Sequence, residues 1–379
     1  MWPPVLLLAL IVATDTISTK ACGNQPRDPE PSPTTPTGEV FVTDDGVRFR
    51  VEVVATNLQI PWSLVFAPDG RLFVTERPGR VRILNLTTRT SELALTVEDV
   101  RADGEGGLLG LALDPDFAQT GFVYLYHTAT AGGRPVNRVV RYREVANRLA
   151  ERVVLLDNIP ASAIHDGGRL RFGPDNLLYI TAGDAANTSL AQDLSSLAGK
   201  ILRLNRDGTT PGENPFASPI YSWGHRNPQG LDWHPVSGEL WASEHGNSGN
   251  DEINVIERGG NYGWPRIEGT ETQSGMTTPI AFFSPAIAPS GASFYRGQRF
   301  PLFANNLFVA TLRGMHVLRV RLDGRRIVTQ ERLLNDRYGR IRDVVSGPDG
   351  LLYFCTSNND GRGGIAEGDD RIARLVPAS

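Results

Sequence analysis

Residues 221–265 contain side chains that could bind an anion and a hard cation close together. Arg226 and Asn227 are adjacent, and a strand-like run separates them from a turn rich in histidine, glutamate, aspartate and glycine. A guanidinium group can hold a carboxylate through two parallel hydrogen bonds. The carboxylates and bare carbonyls of such a turn suit calcium, which takes about six to eight oxygen ligands. Each residue alone could merely cap a loop, but the set predicts a binding site.

The calcium candidate is the turn at residues 244–265, which places Asp251 and Glu252 among several glycines. It is not an EF-hand loop, because the D-x-[DN]-x-[DN]-G run with a glutamate at the last loop position is absent. The sequence also lacks a P-loop, a G-x-S-x-G elbow and an H-E-x-x-H motif. Nothing therefore supports P-loop nucleotide, serine hydrolase or zinc protease chemistry.

One of the six histidines is a candidate general base. His165 stands beside two glycines before a strand-like run, where an exposed imidazole could move a proton near neutral pH. The alternative is a histidine that only bonds a loop carbonyl. His234 lies in a Trp-His-Pro turn, and His127 and His316 end or follow apolar strands, so these three are expected to be structural.

Four arginines differ from ordinary solvated surface charges: Arg226, Arg313, Arg340 and Arg342. Arg340 and Arg342 are two residues apart, so on a strand they share one face. Gathered at one mouth, such guanidinium groups would form a receptor for a multiply charged anion. The alternative is that each pairs with a local carboxylate, such as Asp343 beside Arg342.

A recurring phrase predicts the architecture that must position these residues. Each copy has a proline-centred turn followed by an apolar, strand-like run. The copies begin at Phe66, Leu113, Phe172, Trp233 and Ser346, with a weaker one at Phe300. Units of roughly 50 to 60 residues with about four short strands each predict an all-β fold, a six-bladed β-propeller of four-stranded antiparallel blades.

The mouth of such a propeller is the expected site. Polar residues directly after the phrases would converge there, among them His127, Asp184, His245 and Asn358. Two β-sandwich domains are the alternative fold, but the even spacing of one phrase speaks against them. A parallel α/β fold would need longer amphipathic helices than the segment 190–197 can provide.

Composition narrows the class of protein further. The 379 residues carry a formal net charge of −4, which argues against nucleic acid as a partner. The 40 glycines and 26 prolines favour many turns and few long helices. Two cysteines, Cys22 and Cys355, provide neither a disulfide framework nor a zinc site. Cys355 is expected to be a buried thiol in a strand.

The N-terminal region predicts export. Residues 5–13 form an apolar run too short to cross a bilayer but suited to a signal peptide, assigned to residues 1–21. Cys22 follows an alanine, which predicts a possible lipid anchor, although Thr19 does not fit the usual pattern. A Pro- and Thr-rich linker at 22–40 precedes the propeller at 41–379. The expected location is periplasmic or extracellular.

Five segments resemble the soluble aldose sugar dehydrogenases that use pyrroloquinoline quinone, the glucose/sorbosone dehydrogenase family. They are GEGGLLGLALDPDF, HDGGRLRFGPDNLLYITAGD, GHRNPQGLDW, DEINVIERGGNYGWP and RIRDVVSGPDGLLYF. The resemblance covers most of residues 45–376 in order, and GHRNPQG and NYGWP are its most specific motifs. It implies a six-bladed propeller, in agreement with the repeat count.

The resemblance also implies roles for individual residues. His165 would take the proton of the sugar C1 hydroxyl while hydride passes to the quinone, and the aldose would become a lactone. Arg226 and Asn227 would contact the quinone oxygens, with Arg226 stabilising charge as the cofactor is reduced. Arg340 and Arg342 would hold the carboxylates of the cofactor. An external electron acceptor would then reoxidise it.

Two calcium sites are implied by the same resemblance. The backbone carbonyls of Gly246 and Asn247 would bind a calcium that sits on the cofactor. Glu252 and Tyr262 would belong to a second, structural calcium site. Both sets lie in the glycine-rich turn that composition alone marks as a metal candidate.

This chain departs from the family pattern beside the cofactor. Family members often carry glutamine where Glu105 stands, and a lysine near the cofactor where Arg313 aligns. Both residues are expected to contact the cofactor, and the differences leave the preferred sugar open. The alternative function is a non-catalytic propeller that binds a carbohydrate or a protein. A calcium-dependent lactonase is a weaker alternative, and either a monomer or a homodimer is compatible with the sequence.

Overall fold

The computed structural model describes residues 38–378, with Met1 alone before them. The predicted signal peptide, Cys22 and most of the predicted linker lie outside these residues. In the described part no helix is both long and apolar enough to cross a membrane. The one α-helix described, α1 (Phe117–Thr120), is a single turn, and the short 3-10 helices are Thr188–Gln192, Pro301–Phe303 and Asn358–Asp360.

The strands form six antiparallel sheets. The chain begins with β1 (Phe41–Val42) and β2 (Arg48–Ala55). Blade 1 contains β3 (Pro61–Phe66), β4 (Leu72–Glu76), β5 (Arg80–Asn85) and β6 (Thr90–Thr96). Blade 2 contains β7 (Leu108–Leu113), β8 (Phe122–Ala131), β9 (Arg134–Val145) and β10 (Arg148–Pro160). Blade 3 contains β11 (Leu170–Phe172), β12 (Leu178–Ala182), β13 (Lys200–Leu204) and β14 (Ile220–Trp223).

The remaining blades follow the same pattern. Blade 4 contains β15 (Pro228–Trp233), β16 (Leu240–Glu244), β17 (Asp251–Ile256) and β18 (Ala281–Phe283). Blade 5 contains β19 (Pro289–Phe294), β20 (Leu307–Thr311), β21 (Val317–Asp323) and β22 (Arg326–Leu333). Blade 6 joins β23 (Ile341–Ser346), β24 (Leu352–Thr356) and β25 (Ile372–Pro377) to β2 and then β1. The predicted six-bladed β-propeller is confirmed.

The ring closes through both ends of the chain. The first strand of each blade contacts the first strand of the next, from β3 through β7, β11, β15, β19 and β23 back to β3. Blade 6 is completed by β2, which pairs antiparallel with β25, with Phe49 opposite Pro377. This arrangement leaves blade 6 with five strands, and a sequence repeat could not predict it because β2 precedes the first copy of the phrase.

The recurring phrase is the turn between the first and second strands of a blade. In blade 3 the Gly173 amide donates to the Leu177 carbonyl at 2.9 Å. The carboxylate of Asp175 accepts from the Leu177 amide at 3.2 Å, and Asp349 does the same for Leu351 at 3.1 Å in blade 6. In these two blades an aspartate three residues before the second strand thus stabilises the turn.

Antiparallel pairing determines which residues reach the mouth. The residue before a first strand and the residue after a second strand lie at the same edge of the blade. His165 precedes β11, and Asp184 follows β12 of the same blade. Arg226 precedes β15, and His245 follows β16. His127 does not follow its strand, because β8 continues to Ala131, so the prediction that it reaches the mouth is wrong. Its side chain is fully buried, which confirms the expected structural role.

The axis of the ring is filled by a buried polar column. Arg169 is 1% exposed, and its guanidinium donates to Asp343 at 3.0 Å and to the Gln229 carbonyl at 2.8 Å. It also lies over the Trp62 ring, 4.3 Å from the centroid. A Cβ at Gly291 would come within 1.8 Å of an Asp343 carboxylate oxygen, so only glycine allows this close approach.

Candidate active site

His165 and Asp184 form a histidine–carboxylate pair at the mouth. The ring Nδ1 of His165 lies 2.7 Å from Oδ1 of Asp184. Because a carboxylate only accepts, Nδ1 must carry the proton, which leaves Nε2 free to accept one. The Asp184 side chain is fully buried, and that of His165 is 12% exposed. The imidazole is therefore more enclosed than the exposed base that the flanking glycines suggested.

Asp184 is itself held by two further donors. Its Oδ2 accepts from the Trp264 indole at 2.8 Å, and its Oδ1 accepts from the Ala186 amide at 2.9 Å. The backbone of His165 is in the left-handed region with φ of 63°. A Cβ at Gly183 would lie 2.0 Å from the His165 carbonyl oxygen, so the glycine permits this close packing. The histidine is thereby oriented by its surroundings before any ligand binds.

Glu105 joins the His165 loop to a distant part of the chain. Its Oε2 accepts from the His165 amide at 3.0 Å, and its Oε1 pairs with Arg362 at 2.8 Å. Burial opposes the charge, but His245, the His165 amide and Arg362 together lower the pKa of Glu105 to about 2. The carboxylate is therefore ionised at neutral pH, and its charge is already partly compensated within the protein.

Arg226 and Asn227 lie between the His165 loop and the glycine-rich turn. The Arg226 amide donates to Glu244, and the guanidinium lies 5.3 Å from the Trp264 ring centroid. Burial lowers the pKa of Arg226. Asn227 is fully buried, and its Oδ1 accepts from the Gly167 amide at 3.0 Å. Trp264 thus connects Arg226 to Asp184 and so to His165.

Arg340 and Arg342 lie beside the same carboxylate, although Arg340 directly precedes β23 and is not on the strand that their spacing predicted. Arg340 donates to Asp360 at 2.9 Å, and Arg342 lies 3.7 Å from the same oxygen. The suggested pairing of Arg342 with Asp343 is wrong, because a bulge between Ile341 and Asp343 turns that aspartate toward Arg169. Burial lowers the pKa of Arg342 to about 10.

Arg313 differs from the other predicted arginines. It follows β20, is exposed, and forms no ion pair within the described residues. An unpredicted arginine, Arg77, lies closer to the mouth network and donates to the Gly104 carbonyl at 2.6 Å. Burial lowers the pKa of Arg77, and the charges that act on it include Asp360, Arg362 and Glu105.

Several buried donors at the mouth have no acceptor in the described part of the protein. They are Nε of Arg77, Arg226 and Arg342, and Nδ2 of Asn227. Buried polar atoms are normally paired, so such a group of orphaned donors indicates a ligand rich in acceptor oxygens. The carboxylate and carbonyl oxygens of a polycarboxylate quinone are acceptors of this kind, and the residues present fit it.

A buried carboxyl group beside His165 makes stability depend on pH. Burial raises the pKa of Asp166 to about 7, although Asn137 and the Ser162 amide oppose the shift. The unfolded chain loses this proton near pH 4, whereas the folded chain keeps it until about pH 7. Stability contributed by Asp166 is therefore present below pH 4 and is lost as the pH rises to about 7.

Replacing Asp166 with asparagine is expected to flatten this part of the stability curve. The slope attributable to one such proton is at most about 1.4 kcal/mol per pH unit. Urea midpoints from pH 4 to 7 would measure it in the unaltered protein and in Asp166→Asn. Asp323→Asn, at a carboxylate with 70% side-chain exposure, is the control and should keep the original slope. Equal slopes in all three proteins would contradict the assignment.

The glycine-rich turn offers oxygen atoms, but its carboxylates are partly engaged. Asp251 accepts the amides of Gly246, Ile287 and Ala288 at 2.8, 2.6 and 2.7 Å, so it serves the loop. No group of three or more histidine, cysteine, aspartate or glutamate residues suited to a metal occurs in the part that is described. The carbonyls of Gly246 and Asn247 accept no hydrogen bond from described residues.

Glu252 and Tyr262 line a small cavity of about 10 Å³ next to this turn, together with Glu244 and Glu268. Burial and the nearby Glu244 charge raise the pKa of Glu252 to about 8. The Tyr262 hydroxyl donates to the Val255 carbonyl at 2.6 Å and accepts from the Glu257 amide at 2.7 Å. The Tyr262 hydroxyl therefore already donates one hydrogen bond and accepts another, which leaves the backbone carbonyl oxygen of Tyr262 for a metal.

The family model for glucose/sorbosone dehydrogenases matches residues 58–366. The chain belongs to the glucose/sorbosone dehydrogenase family. Membership makes it an oxidoreductase of the sugar dehydrogenase type. The histidine–carboxylate pair and the unpaired donors at the mouth therefore belong to a redox enzyme. The sequence resemblance predicted this class of enzyme.

Individual relatives agree with this family. The dehydrogenase is 35% identical to an aldose sugar dehydrogenase of Escherichia coli, over 82% of this chain and 91% of the relative. It is 28% identical to quinoprotein glucose dehydrogenase B of Acinetobacter calcoaceticus, over 97% of this chain and 95% of the relative. The solved PQQ-bound aldose sugar dehydrogenase of Streptomyces coelicolor is 39% identical, with a TM-score of 0.80, covering 86% of this chain and 98% of that one.

Sequence reasoning missed several residues of the dehydrogenase mouth. Local patterns do not reveal three residues whose partners lie elsewhere in the chain. They are Trp264, which contacts Asp184, Asp360, which contacts Arg340, and Arg362, which contacts Glu105. Asp184 was expected at the mouth, but its contact with His165 was not. A signal existed for Asp184, since an aspartate after a strand in the same blade as the histidine lies at the same edge.

Proposed function

We propose that this dehydrogenase oxidises the C1 hydroxyl of an aldose to the lactone with pyrroloquinoline quinone as its cofactor, and passes the electrons to an external acceptor. The observation that carries the proposal is the His165–Asp184 pair beside a group of orphaned cationic and amide donors. The related aldose sugar dehydrogenase and quinoprotein glucose dehydrogenase support the substrate class. When bound, the quinone would supply the hydride acceptor that no amino-acid side chain provides.

His165 would act as the general base. Its Nε2 would take the proton of the sugar hydroxyl, because Nδ1 is already bound to Asp184. Asp184 would stabilise the imidazolium that forms and keep the ring in one orientation. The 12% side-chain exposure leaves the imidazole reachable for a small substrate while most of the ring excludes water.

The other mouth residues would bind and orient the cofactor. Asn227 Nδ2 and Arg226 Nε are donors without acceptors and would bind carbonyl oxygens of the quinone. Arg226 would also offset negative charge that develops during reduction. Arg340 and Arg342 would hold carboxylates, for which Asp360 already aligns both guanidinium groups.

Glu105 and Arg313 are assigned weaker roles in cofactor binding. Glu105 would act mainly through the His165 loop, because both of its oxygens are engaged. Arg313 is exposed, so it would reach an anionic group only at the rim of the mouth. The pairing of Glu105 with Arg362 reduces the penalty of a carboxylate near an anionic cofactor.

Calcium would bind at two places in the glycine-rich turn. The free carbonyls of Gly246 and Asn247 would hold the ion that polarises the cofactor. A second ion beside Glu252 and the Tyr262 carbonyl would offset the burial and the Glu244 charge that raise the pKa of Glu252 to about 8. Bound calcium would thereby stabilise the folded protein as well as its site.

Calcium addition is therefore expected to raise the thermal midpoint of the cofactor-free protein, and a chelator should reverse the change. In Glu252→Gln the rise should be smaller, because one charged oxygen ligand is lost. Differential scanning calorimetry with and without calcium measures both effects. Glu92→Gln, an exposed glutamate of blade 1, serves as the control. An unchanged midpoint in the unaltered protein would contradict calcium binding.

Reconstitution tests the proposed activity. The purified protein would be mixed with calcium and the quinone and assayed with a panel of aldoses and a redox dye. Sugar-dependent dye reduction is the expected result. If the protein binds the quinone but reduces no dye with any sugar, the catalytic proposal fails. If the folded protein does not bind the quinone at all, a non-catalytic carbohydrate- or protein-binding propeller becomes the better assignment.

We also propose that the protein is exported to the periplasm or beyond, on the basis of residues 1–21. Mass spectrometry of the mature N-terminus would test this and would decide whether Cys22 carries lipid. A mature chain that retains Met1 would contradict export. Size-exclusion chromatography with light scattering would distinguish a monomer from a homodimer.

A further inference from the structure

A cavity of ≈ 790 Å³ opens at the end of the axis opposite the candidate active site. It is bordered by the last or next-to-last residues of first strands, among them Phe66, Asp232 and Ser293, and by the proline-centred turns. The active-site residues lie at the other ends of these strands. The two openings are therefore separate surfaces, and the polar column around Arg169 fills the axis between them.

Arg171 presents a cation to this cavity and forms no ion pair with any of residues 38–378. It lies on β11 and lines the cavity, and its buried Nε has no hydrogen-bond acceptor among the described residues. Arg169 is two residues earlier, so both side chains lie on the same face of the strand. The two guanidinium groups also interact: burial and the Arg171 charge lower the pKa of Arg169, and the Asp343 charge opposes this shift.

The carboxylate of the axial polar column, Asp343, is already occupied by other donors. Asp343 already accepts from Arg169 at 3.0 Å and from the Leu64 amide at 2.9 Å. A guanidinium with a buried, unsatisfied donor is costly unless an anion pairs with it. Arg171 therefore retains a donor and a charge for an external ligand.

The carboxylates that line the cavity are also engaged. Asp232 holds Arg296 through two hydrogen bonds at 2.7 and 2.9 Å. Asp349 accepts from the Tyr353 hydroxyl at 2.7 Å and lies 3.4 Å from Arg374. Arg299 lines the same cavity as a further exposed cation. The charge available to a ligand in this cavity is thus positive.

The remaining wall of the cavity is partly apolar. Phe66, Pro68, Val345 and Pro348 line it beside the cations. The Phe66 ring is fixed by an edge contact with Tyr353, at a centroid distance of 4.9 Å. Apolar walls with a few fixed polar groups are typical of small-molecule sites.

We propose that this cavity is a second ligand site, which binds a small organic anion through a carboxylate or phosphate group held by Arg171. The apolar wall would contact the carbon part of the ligand, and Arg299 would add charge at the opening. The site is independent of the proposed sugar oxidation, because none of its residues belongs to the mouth network.

Isothermal titration of the full chain at low ionic strength would test the proposal, with citrate and inorganic phosphate as probes. Citrate tests a carboxylate with a carbon frame, and phosphate tests the oxyanion alone. Arg171→Gln is expected to weaken binding of the preferred probe at least tenfold, and Arg171→Lys should weaken it less. Arg326→Gln removes the same charge from a side chain that is 71% exposed on blade 5 and should bind as the unaltered protein does.

Each outcome of the titrations has a different interpretation. Citrate binding that depends on Arg171 supports an organic anion, and phosphate binding that depends on Arg171 supports a phosphate group. The thermal midpoint shows whether Arg171→Gln is folded, and its binding data are used only in that case. If Arg171→Gln is unfolded, Arg171→Lys and Arg299→Gln replace it in the comparison. The proposal is overturned if neither probe binds, or if Arg171→Gln or its substitutes bind as tightly as Arg326→Gln. Sugar oxidation should be unchanged in all of these variants.

Discussion

Replacing His165 with glutamine is expected to lower kcat for sugar oxidation by about 10²- to 10⁴-fold, because the general base is lost. Glutamine can still donate to Asp184 but cannot accept a proton at neutral pH. The measurement is the steady-state rate of dye reduction at saturating sugar and quinone. Quinone affinity, measured separately by absorbance titration, should change little because the orphaned donors of Arg226 and Asn227 remain.

Two further variants define the interpretation of that result. Asp184→Asn should also lower kcat strongly, since the amide no longer stabilises a positively charged ring. His234→Gln is the matched control: His234 lies in a turn between β15 and β16, where its Nδ1 accepts from the Ser237 amide at 3.1 Å. Its kcat should be unchanged. If His165→Gln keeps more than a tenth of the original kcat while binding quinone normally, His165 is not the base.

Replacing Asp343 with alanine is expected to lower the free energy of unfolding by about 3–5 kcal/mol, the cost of leaving one partner of a buried ion pair alone. Arg169 would remain on the axis with only neutral acceptors, Gln229 and Ser63. The amide of Leu64 would also lose its acceptor. Urea denaturation measures the change, and the thermal midpoint should fall by several degrees.

A double variant distinguishes lost charge pairing from lost packing. Arg169→Met with Asp343→Leu replaces the pair by apolar groups and should recover much of the stability, because no buried charge is left unpaired. Asp323→Asn is the surface control, since its partner Arg326 is 71% exposed and the pair is solvated. Equal instability of Asp343→Ala and the double variant would show that the ion pair itself is not the cause.

The blades could be predicted from the sequence because the turns and strands that form them are encoded by short, local patterns. A proline-centred turn between the first two strands repeats along the chain, and in blades 3 and 6 its aspartates, Asp175 and Asp349, form the same hydrogen bond. The buried thiol of Cys355, predicted from its apolar strand, is confirmed. The pairing of β2 with β25 was not predictable, because β2 carries no copy of the phrase and its partner lies at the other end of the chain.

The candidate site was predictable only in part. The spacing of Arg340 and Arg342 predicted that their side chains lie near each other, but their shared neighbour Asp360 could not be chosen over the adjacent Asp343. A bulge after Ile341 decides that choice, and no sequence pattern marked it. The roles of these residues toward a cofactor stay predictions until the reconstituted protein is measured.

Closure of blade 6 also bears on synthesis of the protein. While the ribosome makes blades 1 to 5, β2 has already emerged and has no neighbour on the side that β25 will occupy. An unpaired edge of this kind can associate with other chains. A protein chain that ends before Ile372 would lack β25 and could not close the ring. Even a short C-terminal truncation should therefore cause aggregation instead of giving a shortened enzyme.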